Sequence, residues 1–240
     1  MAFPEDVRLA AVDTMMVPFY EDALRRFRDH TIKRLVHAMD GVAVEWEREE
    51  QRLRSLGADE EVIGDLAADF FLTAIHVEQE TRNILAVGLY HLFERQVTVF
   101  TRSAVRFRGG GAKDVRGLKG AGKGLAEIGL DYRDFASVQE IRVLRVVANT
   151  IKHGREGARK EKDDLKKLPR EFFRDPALSD QEADDDGSLD FDLYVHRHHL
   201  DEWCAALLGF WEEMRTLCWN QEPVTLGSLA RTESEPELDA

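Results

Sequence analysis

From Val62 to about Val105 the apolar residues of the chain recur at intervals of three and four, through Phe71 and Ile75, over more than 40 residues. This spacing belongs to a helix that turns one face to a core, and a run of such length fits packed helices better than any sheet. One or two breaks are expected within it, with Gly88 one candidate. A second periodic run, Tyr20 to Leu56, carries Leu24, Phe27, Ile32, Leu35, Val36, Met39, Val42 and Val44 amid charged residues. It reads as a long helix broken near Gly41, with Gly57 suited to the position just past its end. A last helix is expected from about His196 to Asn220, burying Leu200, Trp203, Cys204, Leu207, Leu208, Trp211 and Met214. Only Leu189 to Val195 approaches the period of two that marks an amphipathic strand. The expected fold class is therefore all-α, a helical bundle with long N-terminal helices.

With 240 residues, 43% of them hydrophobic, the chain can bury a substantial core and is too apolar for wholesale disorder. Its net charge of -13 is concentrated in two places. Asp175 to Asp192 hold eight acids and no base, and Gln221 to Ala240 hold five acids against Arg231. The rest of the chain carries a net charge of only -1. Residues 175–192 read as an acidic loop, mobile from Ser179 to Ser188, and residues 221–240 as a disordered acidic tail. The organisation expected is an N-terminal helical region, 1–57, packing on a bundle formed by 58–220.

Two cysteines, Cys204 and Cys218, lie 14 residues apart on one expected helix and cannot form a disulfide framework, which points to a reducing compartment. Glu5, Asp6 and Arg8 stand where a signal peptide would be apolar, and no window approaches the roughly 20 apolar residues of a membrane span. A cytoplasmic location without membrane association is expected.

Residues 105–124 read as a basic, glycine-rich loop. Between Arg106 and Gly124 there are seven glycines, six bases and one acid, Asp114. The stretch Gly117 to Gly124 approaches a nucleotide phosphate-binding loop, but Gly124 stands where the magnesium-binding hydroxyl belongs, and no buried strand precedes it. A solvated loop, or one making nonspecific phosphate contacts, is the expectation.

The most specific signal lies in the helix read from Val138 to His153. Ser137 and Glu140 have the spacing of a capping box, and Gly154 follows the last helical residue. Ile141, Leu144, Ala148 and Ile151 fall on one face. At about 100° per residue, Arg142, Asn149 and His153 form a polar stripe within roughly 40°, with Arg145 about 40° from Asn149. From Arg142 to Arg170 there are ten bases and four acids, a local surplus that favours nucleic acid in a net acidic chain.

The string Leu144-Arg145-Val146-Val147-Ala148-Asn149-Thr150-Ile151-Lys152-His153-Gly154 resembles the signature helix of the HEPN superfamily. There, an Arg, commonly followed by a polar residue such as Asn, precedes a His by four to six positions. The preceding helix with Leu89-Tyr90-His91-Leu92-Phe93-Glu94-Arg95 resembles the acidic-residue helix of many members, and the likeness covers roughly Glu60 to Gln221. The resemblance implies a helical bundle, a homodimer, and metal-independent cleavage of RNA at a composite site. In that cleavage a 2′-hydroxyl attacks the adjacent phosphate, the His moves protons and the Arg stabilises charge on the phosphate. It also implies a bacterial stress or phage-defence setting.

Carried over by position, Asn149 and His153 match the polar and His members of the motif, with Arg145 in support as the third catalytic candidate. A His suits proton transfer near neutral pH, and cations suit the developing phosphate charge. Arg142, Lys152, Arg155, Arg159 and Lys160 are the candidate RNA-binding residues. The departure is Ala148, where the motif places its Arg. Arg145 is eight residues before His153, about 12 Å along the helix. Three readings follow: an endoribonuclease, a HEPN-like domain that does not cut but binds RNA or nucleotide or, as a noncatalytic adaptor, dimerises and binds a protein partner, and a helical bundle unrelated to that superfamily. Lys152, His153 and Gly154 are equally what a plain helix C-terminus carries.

No metal or cofactor is called for. His196-Arg197-His198-His199 lacks a carboxylate or cysteine at a convincing spacing, and neither a Glu-x-x-His pair nor H-E-x-x-H occurs. His91 and Glu94 are spaced as a helical side-chain pair, and the four tryptophans as core or dimer interface.

Overall fold

The structure is a computed structural model that describes residues 6–7, 10–108, 111, 115–160, 162–173, 193–220 and 224–225, with side chains within 16–108, 111, 115–154, 163–173 and 193–220. The fold is all-α, as the periodicity predicts. In order, the described helices are α1 (Ala10–Arg26), a π-helical stretch (Phe27–Ile32), α2 (Lys33–Met39), α3 (Val42–Ser55), α4 (Glu60–Phe107) and α5 (Gly117–Glu127). There follow α6 (Val138–Lys160), α7 (Lys162–Leu165), a 3-10 turn (Arg170–Phe172) and α8 (Arg197–Trp219). A short antiparallel pairing of β1 (Asp6–Val7) with β2 (Val224–Thr225) sets Asp6 opposite Thr225. Of the strand-like segment before α8, the described residues contribute one bridge, Leu193 to Phe173. The acidic loop, 175–192, and most of the tail lie outside the described residues.

α4 runs unbroken for 48 residues, so the break expected at Gly88 does not occur. Gly88 serves packing instead: a β-carbon there would lie 3.2 Å from Cζ of Phe27. The long helix expected from Tyr20 begins earlier and passes through the π-helical stretch before the turn at Asp40–Gly41. Gly57 ends α3 as expected, with its N–H donating to Arg54 O (3.0 Å) and that of Ala58 to Leu53 O (3.1 Å). Asp59 then caps α4 by accepting from the amide of Glu61 (3.1 Å).

The basic, glycine-rich stretch departs most from expectation, because residues 117–127 are helix α5. Its glycines are the means of close packing. A β-carbon at Gly124 would lie 3.0 Å from Thr101 Cγ2 and 3.2 Å from Val115 Cγ2, and one at Gly122 only 2.8 Å from the Tyr132 hydroxyl. A phosphate-binding loop is thereby excluded for Gly117 to Gly124, since these residues form a helix instead.

Two compact units interleave along the chain. One comprises Met1–Leu24, His91–Gln139 and Ala205–Ala240, the other Arg25–Tyr90 and Glu140–Cys204. In the first, Phe93, Val97 and Phe100 are buried at helical spacing. Phe93 meets Phe210 edge-on at 5.0 Å, and Trp211 meets Tyr20 at 4.7 Å. Two buried side chains there pair through one amide: Trp211 Nε1–H donates to Gln96 Oε1 (3.1 Å), and Gln96 Nε2 donates to Tyr20 O (3.1 Å), whereas the Tyr20 hydroxyl is buried without a hydrogen bond among the described residues. In the second, Arg82 and Gln79 of α4 both donate to Val195 O, at 2.9 and 3.4 Å. Trp46 packs on Phe70 at 5.3 Å. Trp46, Trp203 and Trp211 are buried as expected, whereas Trp219 is 54% exposed.

Two glycine substitutions separate helical propensity from packing. Gly64→Ala, in open space on α4, is expected to raise stability by up to about 1 kcal/mol. Gly124→Leu is expected to lower it by about 1 to 3 kcal/mol through overpacking. Urea unfolding of both variants beside the parent checks the signs.

Candidate functional site

α6 is positioned from outside itself. The capping box expected from Ser137 and Glu140 does not form, because the Ser137 hydroxyl is buried without a hydrogen bond among the described residues. The carboxylate of Glu213, on α8, takes the role by accepting from the amides of Ala136 (2.8 Å) and Ser137 (3.3 Å). The helix buries Ile141, Leu144, Val146, Val147, Ala148 and Thr150. Ala148 is 1% exposed, so the place of the missing Arg faces the protein interior. A guanidinium there would have to be desolvated, a constraint that spacing along the chain does not reveal.

The remaining candidates lie on the outer side. Arg142, Lys152 and His153 are exposed and make no hydrogen bond or ion pair among the described residues. Asn149 is half-buried and not without a partner. Arg145 is committed: its Nη2 lies 3.1 Å from Asp164 Oδ2 on α7, whose other oxygen accepts from Lys167 Nζ at 3.0 Å. Lys167 foremost, then Arg145, holds the Asp164 carboxyl below its ordinary range. Gly154 interrupts α6 at φ 52°, ψ -132°, as expected for a residue past a helix end, but the backbone re-enters helix as far as Lys160. The side chains of Arg155, Arg159 and Lys160 lie outside the described residues. The structure thus presents His153 with Lys152 at a helix end, Arg142 about three turns away, and Arg145 tied to an acid.

A second group of titratable side chains forms where spacing gave no hint. Glu171, in the 3-10 turn, meets the histidines at the start of α8: His199 Nε2 lies 3.2 Å from Glu171 Oε1, and His198 Nε2 3.8 Å from Oε2. Glu171 is distant in sequence, so no local motif announces it. The three ligand atoms lie within 4.8 Å of one another, the reach of a metal ion. The hydrogen bonding opposes coordination. The backbone N–H of His196 donates to His199 Nδ1 (3.1 Å), which places the proton of the neutral ring on Nε2, the atom a metal would need bare.

His199 instead completes a cap. It stands three residues beyond His196 and accepts from that residue's amide, as a Glu or Gln does in a capping box. Its ring is 3% exposed and stacks on Phe172 at 4.1 Å. Burial pushes its pKa below the ordinary value, Glu171 opposes that shift, and His198 and His196 reinforce it. Cys204 offers no nucleophile, for burial pushes its thiol up to about 12. His91 and Glu94 form the helical pair expected, with Nδ1 to Oε2 at 3.6 Å.

No family model, curated protein or solved structure matches the chain. Among the described residues, no helix is long and apolar enough to cross a membrane.

Two outcomes follow from this geometry. Ala148→Arg, which would restore the motif on paper, is expected to destabilise the fold by several kcal/mol in chemical unfolding and to create no RNA cleavage. A folded state that disfavours protonated His199 is stabilised above the ordinary His pKa and loses that contribution as pH falls through the depressed value. His199→Gln keeps an acceptor for the His196 amide, so its melting temperature should fall less between pH 7 and pH 5 than the parent's.

Proposed function

We infer that this chain is a HEPN-like helical domain that binds RNA along the exposed side of α6 without cutting it. The observation that carries the reading is the burial of Ala148, together with the pairing of Arg145 to Asp164. Cleavage of the kind the motif implies relies on a guanidinium at the phosphate beside the proton-transferring His. The buried position has none, and the next guanidinium upstream is occupied. Arg142, Lys152 and His153 remain open to phosphate oxygens. The local surplus of bases around α6 supports the same reading.

A competing reading, an adaptor that dimerises and binds a protein partner, draws on α4. There Val62, Leu72, Ile75 and Ile84 are each more than half exposed, with Leu72 and Ile84 at 65%.

Affinity for a labelled single-stranded RNA, measured in EDTA from low to moderate salt, separates these readings. An RNA-binding α6 gives a steep salt dependence, and Arg142→Gln with Lys152→Gln shallows the log–log slope by about 0.7 for each phosphate that no longer meets a cation. Binding indifferent to salt and to both substitutions moves the assignment to the adaptor. Cleavage with cyclic-phosphate ends, abolished in His153→Ala, would make the chain an endoribonuclease.

A further inference from the structure

An open cleft of about 340 Å³ lies in the first unit, walled by successive turns of one face of α4 and closed at one side by Gly117, the first residue of α5. Its α4 wall carries His91, Glu94, Arg95, Thr98 and Arg102. Arg95 is exposed and makes no hydrogen bond or ion pair among the described residues. Arg102 donates its Nε–H to Val115 O (3.0 Å), a bond that braces the guanidinium and leaves its two NH2 groups as donors. Glu94 is the one acid of the lining, set so close to the start of α5 that a β-carbon at Gly117 would lie 3.3 Å from its Oε1.

Arg116, which precedes α5, is extended and its side chain supplies no cap, and Gly117, at the positive end of this 11-residue helix, lines one end of the cleft. Two guanidiniums, a threonine hydroxyl and a helix start, against one carboxylate, favour a compact ligand of double negative charge. Planar guanidinium forks match phosphate oxygens, and the volume falls in the range of small-ligand sites.

We propose that this cleft binds a phosphate monoester through Arg95 and Arg102, with Glu94 holding the affinity down by like-charge repulsion. The site stands independently of RNA binding by α6, because none of its residues belongs to that helix. Its guanidiniums grip the terminal phosphate, and the open side leaves the esterified group in solvent. Free phosphate and a nucleoside monophosphate are therefore both ligands, and the unphosphorylated nucleoside is not.

Titration calorimetry on the full chain with inorganic phosphate, adenosine 5′-monophosphate and adenosine tests this. Both phosphates should bind and adenosine should not. Arg95→Gln should weaken both by about tenfold or more, as expected for removing one charge-assisted hydrogen bond. Glu94→Gln should tighten both, a gain that no merely structural role for Glu94 produces. Arg142→Gln on α6 should change neither. Because Arg95 is exposed and unpaired among the described residues, its substitution should leave the thermal unfolding curve in place. Absence of phosphate binding at millimolar concentration, equal binding of adenosine, or indifference to Arg95→Gln with the fold intact would each overturn the proposal.

Discussion

The burial of one face of α6 governs what the chain can do. Ile141, Leu144, Val147 and Ala148 face inward, and a helix with its period fixed at 3.6 residues has no freedom to turn position 148 outward without exposing the rest. The outer face is left to Arg142, Lys152 and His153, which are charged or titratable and make no hydrogen bond or ion pair with one another. Such a surface suits many weak contacts with a polyanion more than the aligned donors of a catalytic site.

Fixed geometry is found instead among groups that hold the fold. Gln96 joins Trp211 Nε1 to the carbonyl of Tyr20, so a buried amide satisfies one helix's indole and another's backbone at once. Arg82 bonds Val195 O, Gln79 and Glu78, with Tyr194 under its guanidinium at 5.7 Å. His199 fills a cap and stacks on Phe172. In each case the polar group is engaged with the backbone or with a neighbour it cannot leave without orphaning a buried donor or acceptor. That engagement distinguishes structural polar clusters from working ones here, where residue type alone would not.

Helices with strong period and clear ends are legible from their own residues. α8 is readable from Leu200, Trp203, Leu207 and Trp211, and the stops at Gly57 and Gly154 from their place after periodic runs. Features set by a distant partner are not. Gly88 looks like a break until Phe27 is seen against it, and Gly117 to Gly124 looks like a loop until Thr101, Val115 and Tyr132 are seen pressing on α5. At the candidate site, the stripe of Arg142, Asn149 and His153 follows from spacing. The engagement of Arg145 by Asp164 and the meeting of Glu171 with His198 and His199 depend on tertiary proximity.

The cap that Glu213 provides to α6 has a consequence for the order of events during synthesis. Ala136 and Glu213 are 77 residues apart, so the amides at the start of α6 wait for a carboxylate made much later. Closing so long a loop is entropically costly, and the cost is offset only when α8 packs. A nascent chain that has emerged through α6 alone therefore holds that helix with a frayed first turn. The surface proposed for RNA takes its final form only after α8 has left the ribosome.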